Sequence, residues 1–343
     1  MLEYIEIKGS NLVSSRIALG TWAIGGWMWG GTDEKESIRT ILAALDLGIN
    51  LIDTAPIYGY GRSEEIVGEA LHQFGRRESI ILATKVGLDW TNGKIERNST
   101  RQRILQELED SLRRLQTDYI DIYQVHWPDS LVPVEETAAT LRELYEQGKI
   151  RAIGVSNYSL EEMERFRAVA PLHTIQPPYN LFERAIEGDV LPYAQSRGIT
   201  ALAYGALCRG LLSGAMRTDR QFANGDMRKT TDPKFQPRHF AEYLNAASKL
   251  DAFARENYGK RVIHLAVRWL LDQPGVGVGL WGARRPQQLA PIREVIGWSL
   301  GKNDFAAIDA ILRENIRNPV GPEFMAPPTR ETAEPVTVSV GKD

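Results

Sequence analysis

The chain has 343 residues, 43% of them hydrophobic, enough for one large α/β domain or two smaller ones with a sizeable core. Its formal net charge is −3 with acids and bases interspersed, so its electrostatics give no reason to expect nucleic acid or an anionic membrane as partner. A single cysteine, Cys208, excludes an intrachain disulfide. No apolar run reaches the ~20 residues that span a bilayer, and the start, MLEYIEIKGSN, is unlike a signal peptide, so a cytoplasmic protein is expected.

Tyr4–Ile7 and Leu12-Val13 flank Gly9-Ser10-Asn11 and read as a β-hairpin. Short apolar runs then alternate with longer segments of helical period. The runs are IALGTW (17–22), INLID (49–53), SIILATK (79–85), YIDIYQVH (119–126), IRAIGVS (150–156), HTIQPPY (173–179), ITALAY (199–204) and VGVGLW (276–281). Helices are expected near 34–47, 63–74, 100–116, 134–148, 159–168, 188–197, 241–271 (as two helices) and 286–297. Ser99 or Thr100 caps one, Ser159 with Glu162 forms a capping box, and Pro286 opens the last.

Strands alternating with helices argue for a parallel sheet, and eight such units for a (β/α)8 TIM barrel. The nearly continuous apolar runs suit strands covered on both faces. Residues 213–239 are polar and form a long insertion after strand seven. Residues 318–343 are proline-containing and aperiodic, an irregular tail lying over the barrel or disordered. The expected organisation is one barrel domain over 1–317 followed by that tail.

Barrel active sites lie at the C-terminal strand ends. Strand two ends in Asp53, with Tyr58 one loop further on, where Gly59 and Gly61 permit a sharp turn. Strand three ends in Lys85, strand four in His126, strand five in Ser156-Asn157, and strand six contains Gln176. Taken singly, such an Asp is a turn or a cap and such a Lys a structural ion pair. Four converging polar groups are harder to explain so, because packing favours Val, Ile or Leu there. Together they form a proton-transfer set. A phenol of pKa about 10 is a weak acid near neutrality, and a nearby ammonium favours its phenolate. A carboxylate holds the lysine, and a histidine contacts a carbonyl oxygen or relays the proton.

On LIDTAPIYGYGRSEEIVGEAL, LATKVG, DIYQVHWPD, GKIRAIGVSN, QPPYNLFER and AYGALCRGLLSG, the chain resembles the aldo-keto reductases, from about residue 4 to 316. The resemblance implies a catalytic tetrad of Asp53, Tyr58, Lys85 and His126, with Tyr58 as general acid in reduction and base in oxidation. Lys85, paired with Asp53, would tune Tyr58, and His126 would orient the carbonyl.

Gly277, Gly279 and Gly282 match G-x-G-x-x-G, but in the last strand–loop unit rather than an opening βαβ, so a Rossmann reading is rejected. The loop after strand eight instead feeds a helix N-terminus, which favours an anion, and carries Arg284 and Arg285. The resemblance implies NADP(H), reached also by Gly20, Thr21, Trp22 and Asp53. It assigns Ser156, Asn157 and Gln176 to the carboxamide and Tyr204 to stacking on the nicotinamide. The backbone around Gly205, Leu207, Arg209 and Gly210 would follow the pyrophosphate. Gly282, Ala283, Arg284 and Gln288 would meet the adenosine end, with Arg284 on its 2′-phosphate. Two positions depart from many relatives: Trp281 replaces a proline, and Leu289-Ala290-Pro291-Ile292 after Gln288 lacks an adenine-contacting asparagine.

Trp22 and Trp127, with Tyr58 and His126, are expected to border the substrate, with Trp27 and Trp29 on the same first loop. No cluster of Arg or Lys near the tetrad demands an anion. Small neutral carbonyl compounds or their alcohols fit, and the resemblance is to bacterial members acting on glycerol or glyceraldehyde. No metal is expected, and no oligomeric state follows. A Schiff-base lyase using Lys85 and a non-catalytic cofactor-binding module are the alternatives.

Overall fold

A computed structural model describes residues 2–90 and 94–329. Most of the expected tail, from residue 330 on, lies outside the described residues. Eight parallel strands close a barrel: β1 (Ile17–Gly20), β2 (Leu51–Asp53), β3 (Ile81–Val86), β4 (Ile120–Val125), β5 (Ile150–Ser156), β6 (Thr174–Gln176), β7 (Thr200–Ala203) and β8 (Val276–Gly282). Each pairs with its sequence neighbours, and β8 closes on β1 with Gly279 opposite Ile17. All eight apolar runs became strands.

The helices between them are α1 (Glu34–Asp46), α2 (Arg62–Phe74), α3 (Arg101–Leu115), α4 (Val134–Glu146), α5 (Leu160–Arg167), α6 (Val190–Arg197), α7 (Met227–Thr230), α8 (Pro237–Tyr258) and α9 (Val262–Leu271), and α10 (Lys302–Asn315) follows the last strand. Their starts follow local chemistry. The Thr100 side chain accepts from the Arg103 amide, and Ser159 and Glu162 form the reciprocal box, satisfying amides a helix start leaves unpaired. The helices that flank the barrel bury an apolar stripe, such as Ile41, Ala44 and Leu45 on α1.

The barrel interior is a packed core of Ala18, Leu51, Ile81, Ala83, Ile122, Ala152, Leu202, Val278 and Leu280. The N-terminal hairpin, Tyr4–Glu6 paired with Val13–Ser15, inserts Ile7 beneath it as a floor. The Lys8 amide donates to Thr200 Oγ1 at 3.0 Å. Chemistry is thereby confined to the opposite rim.

Four details differ from the sequence reading. Residues 286–294 form a 3₁₀ helix rather than an α-helix, because Pro291 inside it has no N–H to donate. The α10 helix was not anticipated. The insertion is not one loop: it contains α7, and α8 already starts at Pro237. A two-residue ladder, Leu88–Asp89 with Glu96–Arg97, also escaped the pattern. Among the described residues no helix is long and apolar enough to cross a membrane.

Candidate active site

Parallel register brings the polar strand ends to one level. Asp53 pairs with Gly20 and Ala83, Lys85 with Gln124, and Gln176 with Ser156, while His126 and Tyr204 each follow a strand. Lys85 is fully buried, and its ammonium donates to Asp53 Oδ2 at 2.7 Å, the Thr54 carbonyl at 2.9 Å and Tyr58 Oη at 3.3 Å. The Tyr58 ring meets His126 edge-on at 5.8 Å and stacks near Trp22 at 6.1 Å. Asp53, Tyr58, Lys85 and His126 therefore converge.

Backbone contact fixes the tyrosine loop. A side chain at Gly25 would meet the Tyr58 carbonyl at 2.4 Å, and one at Gly59 the Gly25 carbonyl at 2.2 Å, with Gly59 at φ 72°. Only glycine permits this approach of the first loop to the Tyr58 loop. A hydroxyl chain supports it: Thr54 Oγ1 donates to Ser63 Oγ at 2.9 Å, and Ser63 Oγ to Thr21 Oγ1 at 2.8 Å. Thr21 Oγ1 in turn donates to the Asp53 carbonyl at 2.9 Å.

Asp53 is saturated with donors. Besides Lys85, its Oδ1 accepts from Gln176 Nε2 at 2.7 Å and Gln124 Nε2 at 3.3 Å. Gln124 is a site residue the sequence reading missed; a glutamine inside IDIYQVH was the available signal. Asn157 sits at φ 60°, donates to the His126 carbonyl and to Ser156 Oγ, both at 3.0 Å, and accepts from Tyr204 Oη at 3.1 Å. Ser156 Oγ donates to the Gln176 carbonyl at 2.6 Å.

Electrostatics revise one expectation. Burial, reinforced by the Asp53 charge, pushes the Tyr58 phenol well above its ordinary range, so the lysine does not make it acidic. Burial also lowers the Lys85 ammonium against the opposing pull of Asp53. Burial, then the Lys85 charge, drives His126 well below its usual value, leaving a neutral imidazole at neutral pH. The site thus holds a protonated phenol beside a neutral histidine.

The expected cofactor residues line the same rim with two surprises. The Arg284 guanidinium is engaged by the first loop, donating to the Trp29 carbonyl at 3.0 Å and to that of Gly31. Gln288 Oε1 accepts from the amides of Arg284 at 2.8 Å and Arg285 at 3.1 Å, capping the 3₁₀ turn. The insertion meets the first loop too: the Met227 amide donates to the Met28 carbonyl at 2.9 Å. Arg209 turns its side chain inward, to Glu183 and Asp232, both at 2.5 Å. Around it Cys208, Arg209 and Gly210 all have positive φ, and Leu207 and Gly205 complete the turn after β7. Gly282 is exposed at the end of β8 with Ala283 behind it, Gly20 closes β1, and Trp281 is buried with its indole donating to the Gln288 carbonyl at 3.1 Å.

The tail contributes what the sequence did not show. Pro322 and Glu323 roof a cleft of about 220 Å³ that Trp127, Asn157, Gln176 and Tyr204 also line. The Trp27, Tyr60 and Trp90 rings continue an aromatic rim outward. Among the described residues no three His, Cys, Asp or Glu side chains form a metal-holding group.

Comparison with known proteins agrees with this architecture. The aldo/keto reductase family profile matches residues 16–313. Aldo-keto reductase YhdN of Bacillus subtilis is 62% identical, over 96% of this chain and 99% of its own. The structure of glycerol dehydrogenase AKR11B4 from Gluconobacter oxydans superposes with a TM-score of 0.84 at 53% identity, covering 94% of this chain and 99% of that one. An aldo/keto reductase from Klebsiella pneumoniae, in complex with NADP and acetate, superposes with a TM-score of 0.67 at 28% identity, covering 89% and 94%. This chain belongs to the aldo/keto reductase family and is an oxidoreductase of carbonyl compounds and alcohols.

Proposed function

We propose that the protein interconverts small neutral aldehydes or ketones and their alcohols with NADP(H), using Tyr58 as the general acid and base. The observation that carries this reading is the Lys85 ammonium, bonded at once to Asp53, Thr54 and the Tyr58 hydroxyl, beside a neutral His126.

The role of each group follows from its environment. A phenol kept protonated by burial holds the proton until an oxygen with developing negative charge accepts it. Lys85 Nζ lies 3.3 Å from the Tyr58 hydroxyl oxygen and stabilises the phenolate as it forms. Asp53 fixes the ammonium rather than acting on substrate. Neutral His126 donates an N–H to the carbonyl oxygen without adding a competing charge. When bound, the nicotinamide supplies or accepts the hydride.

The residues present fit that cofactor. Gln176 gives its Nε2 to Asp53, which leaves its amide oxygen to accept from a carboxamide beside Ser156 and Asn157. Tyr204 is a wall of the same cleft. At the far end Arg284 meets a 2′-phosphate by exchanging its contacts with the Trp29 and Gly31 carbonyls. The likeness to a relative in complex with NADP supports the choice of NADP(H). The likeness to a glycerol dehydrogenase, and a cleft without Lys or Arg among its lining residues, supports glyceraldehyde- and glycerol-type substrates. A nucleophilic role for Lys85 is disfavoured, because its nitrogen is already committed to three acceptors.

Tyr58→Phe tests the assignment. Reduction of glyceraldehyde by NADPH should fall by about 10²–10⁴-fold, while NADPH still quenches tryptophan fluorescence. Undiminished turnover would sink the reading.

A further inference from the structure

Gln124 is fully buried on β4 and takes no part in the proton transfer itself. A buried primary amide needs partners for its N–H groups and its oxygen. Gln124 finds them among the working groups of the site. Its Nε2 donates to Asp53 Oδ1 at 3.3 Å, and its Oε1 accepts from Gln176 Nε2 at 3.4 Å. Gln176 Nε2 also donates to the same Asp53 Oδ1, at 2.7 Å. Side chains from β2, β4 and β6 thus close a hydrogen-bonded triangle inside the barrel mouth.

The strands leave room for it. Parallel register sets Lys85, Gln124, Gly154 and Thr174 side by side on four successive strands. A side chain at Gly154 would meet Thr174 Oγ1 at 2.3 Å and Gln124 Cγ at 2.8 Å. Gly154 has no left-handed φ, so space alone requires glycine there. The missing side chain on β5 is what lets the Gln124 stem lie where it does.

The triangle acts on both halves of the site. Gln176 Nε2 commits an N–H to Asp53 and another to Gln124, which leaves its amide oxygen as the group offered to a carboxamide. Asp53 Oδ1 takes the two amide donors while Oδ2 takes the Lys85 ammonium at 2.7 Å. Amide dipoles aimed at Oδ1 partly offset the Asp53 charge, which after burial is the influence that raises the Tyr58 phenol. Four other titratable groups bear on this spot. Lys85 is bonded to Tyr58, His126 lies against the Tyr58 ring, Glu64 supports the Lys85 ammonium, and Tyr204 interacts with Tyr58.

We infer that Gln124 is a positioning residue for both halves of the reaction. It holds the Gln176 amide in the orientation that receives the nicotinamide carboxamide, and it tempers the Asp53 charge felt by Lys85 and Tyr58. The inference rests on the reading of Tyr58 as the acid and NADP(H) as the cofactor, and adds a residue that acts through Gln176 and Asp53.

The test uses the full chain and Gln124→Met, which keeps the volume and removes the amide. Kd values for NADPH and NADP+, read from quenching of tryptophan fluorescence, should rise about three- to tenfold, as the loss of one or two hydrogen bonds requires. The acid limb of the pH profile for glycerol oxidation should move up by about half a pH unit, because a less compensated Asp53 raises the Tyr58 phenol further. KM for glyceraldehyde at saturating NADPH should change by less than about twofold. Gly154→Ala, which displaces the Gln124 stem but keeps its amide, should move the first two readouts in the same directions. Urea melts measure the loss of fold stability separately. A lowered melt with unchanged NADPH affinity and an unmoved acid limb would make Gln124 purely structural and overturn the inference. So would a rise in the glyceraldehyde KM as large as the rise in the NADPH Kd. An active Tyr58→Phe enzyme would instead overturn the acid assignment, and the fluorescence arm would still decide the link between Gln124 and Gln176. A wild type that binds NADH and not NADPH would overturn the cofactor choice, and the same comparison read with NADH would then decide that link.

Discussion

Two buried ionic clusters lie near the rim of this barrel, and they are finished differently. At the end of β2, one carboxylate, Asp53, faces one ammonium, Lys85, and the third acceptor of that ammonium is a titratable phenol. After β7, Glu183 and Asp232 face Arg209 and Lys234, two charges of each sign, all buried. Glu183 Oε2 also accepts from Asn180 Nδ2 at 2.7 Å, and burial pushes the adjacent Cys208 thiol up to about 12. The second cluster is closed: each acid is paired with a buried base. The first is completed by an O–H, the one member that can give a proton away. Buried charge alone does not mark a catalytic centre; an ion pair finished by a titratable neutral group does.

Removing one cation or anion from each cluster separates the two designs. Lys85→Met should lower kcat about 10²–10⁴-fold and also destabilise the fold by about 3–5 kcal/mol, because Asp53 is left charged and buried. Steady-state rates and urea melts measure the two losses. Glu183→Gln should lower stability by a similar ~3–5 kcal/mol in the same melts, since Arg209 and Lys234 lose their shared acceptor. Its rate per folded molecule should fall far less than that of Lys85→Met. Equal rate losses in the two variants would erase the distinction.

The smallest expected effect concerns pH. The unfolded chain takes up a proton on a histidine near pH 6.5, whereas folded His126 does so only well below. Between the two, the unfolded state binds more protons. The contribution of His126 is therefore fully present above about pH 6.5 and is lost as the pH falls toward the folded value. The slope is at most about 1.4 kcal/mol per pH unit. His126→Gln should flatten it in melts from pH 7 to 5; an unchanged slope would assign the acid sensitivity to His173 and His264, which burial also depresses.

Much of this was legible in the sequence because a barrel strand must be apolar except where it ends at the working rim. INLID, SIILATK and YIDIYQVH each broke at the residue that later met the others. What stayed hidden depended on depth or distant contacts. The sequence names the neighbours of Tyr58 but not how far burial outweighs the ammonium, so the direction of its shift was misread. Arg284 was seen as an anion ligand, but which acceptors hold its guanidinium depends on where the first loop lies. The α10 helix, KNDFAAIDAILREN, buries only Ile308 and Leu312, too sparse a stripe to stand out. Glu323 reaches its cleft through tail contacts that no local pattern encodes.

The join between β1 and β8 has a consequence for how the molecule is made. Ile17 finds its partner, Gly279, only after most of the chain has been synthesised. Arg16 reinforces the late seam, its Nη2 donating to the carbonyls of Leu271 at 2.6 Å and Val276 at 3.1 Å. Until those residues leave the ribosome, the growing sheet carries one edge of β1 unpaired, a template for another strand. The fragment most exposed to edge-to-edge aggregation is therefore a nascent chain that already contains every member of the tetrad and lacks only the strand that closes the ring.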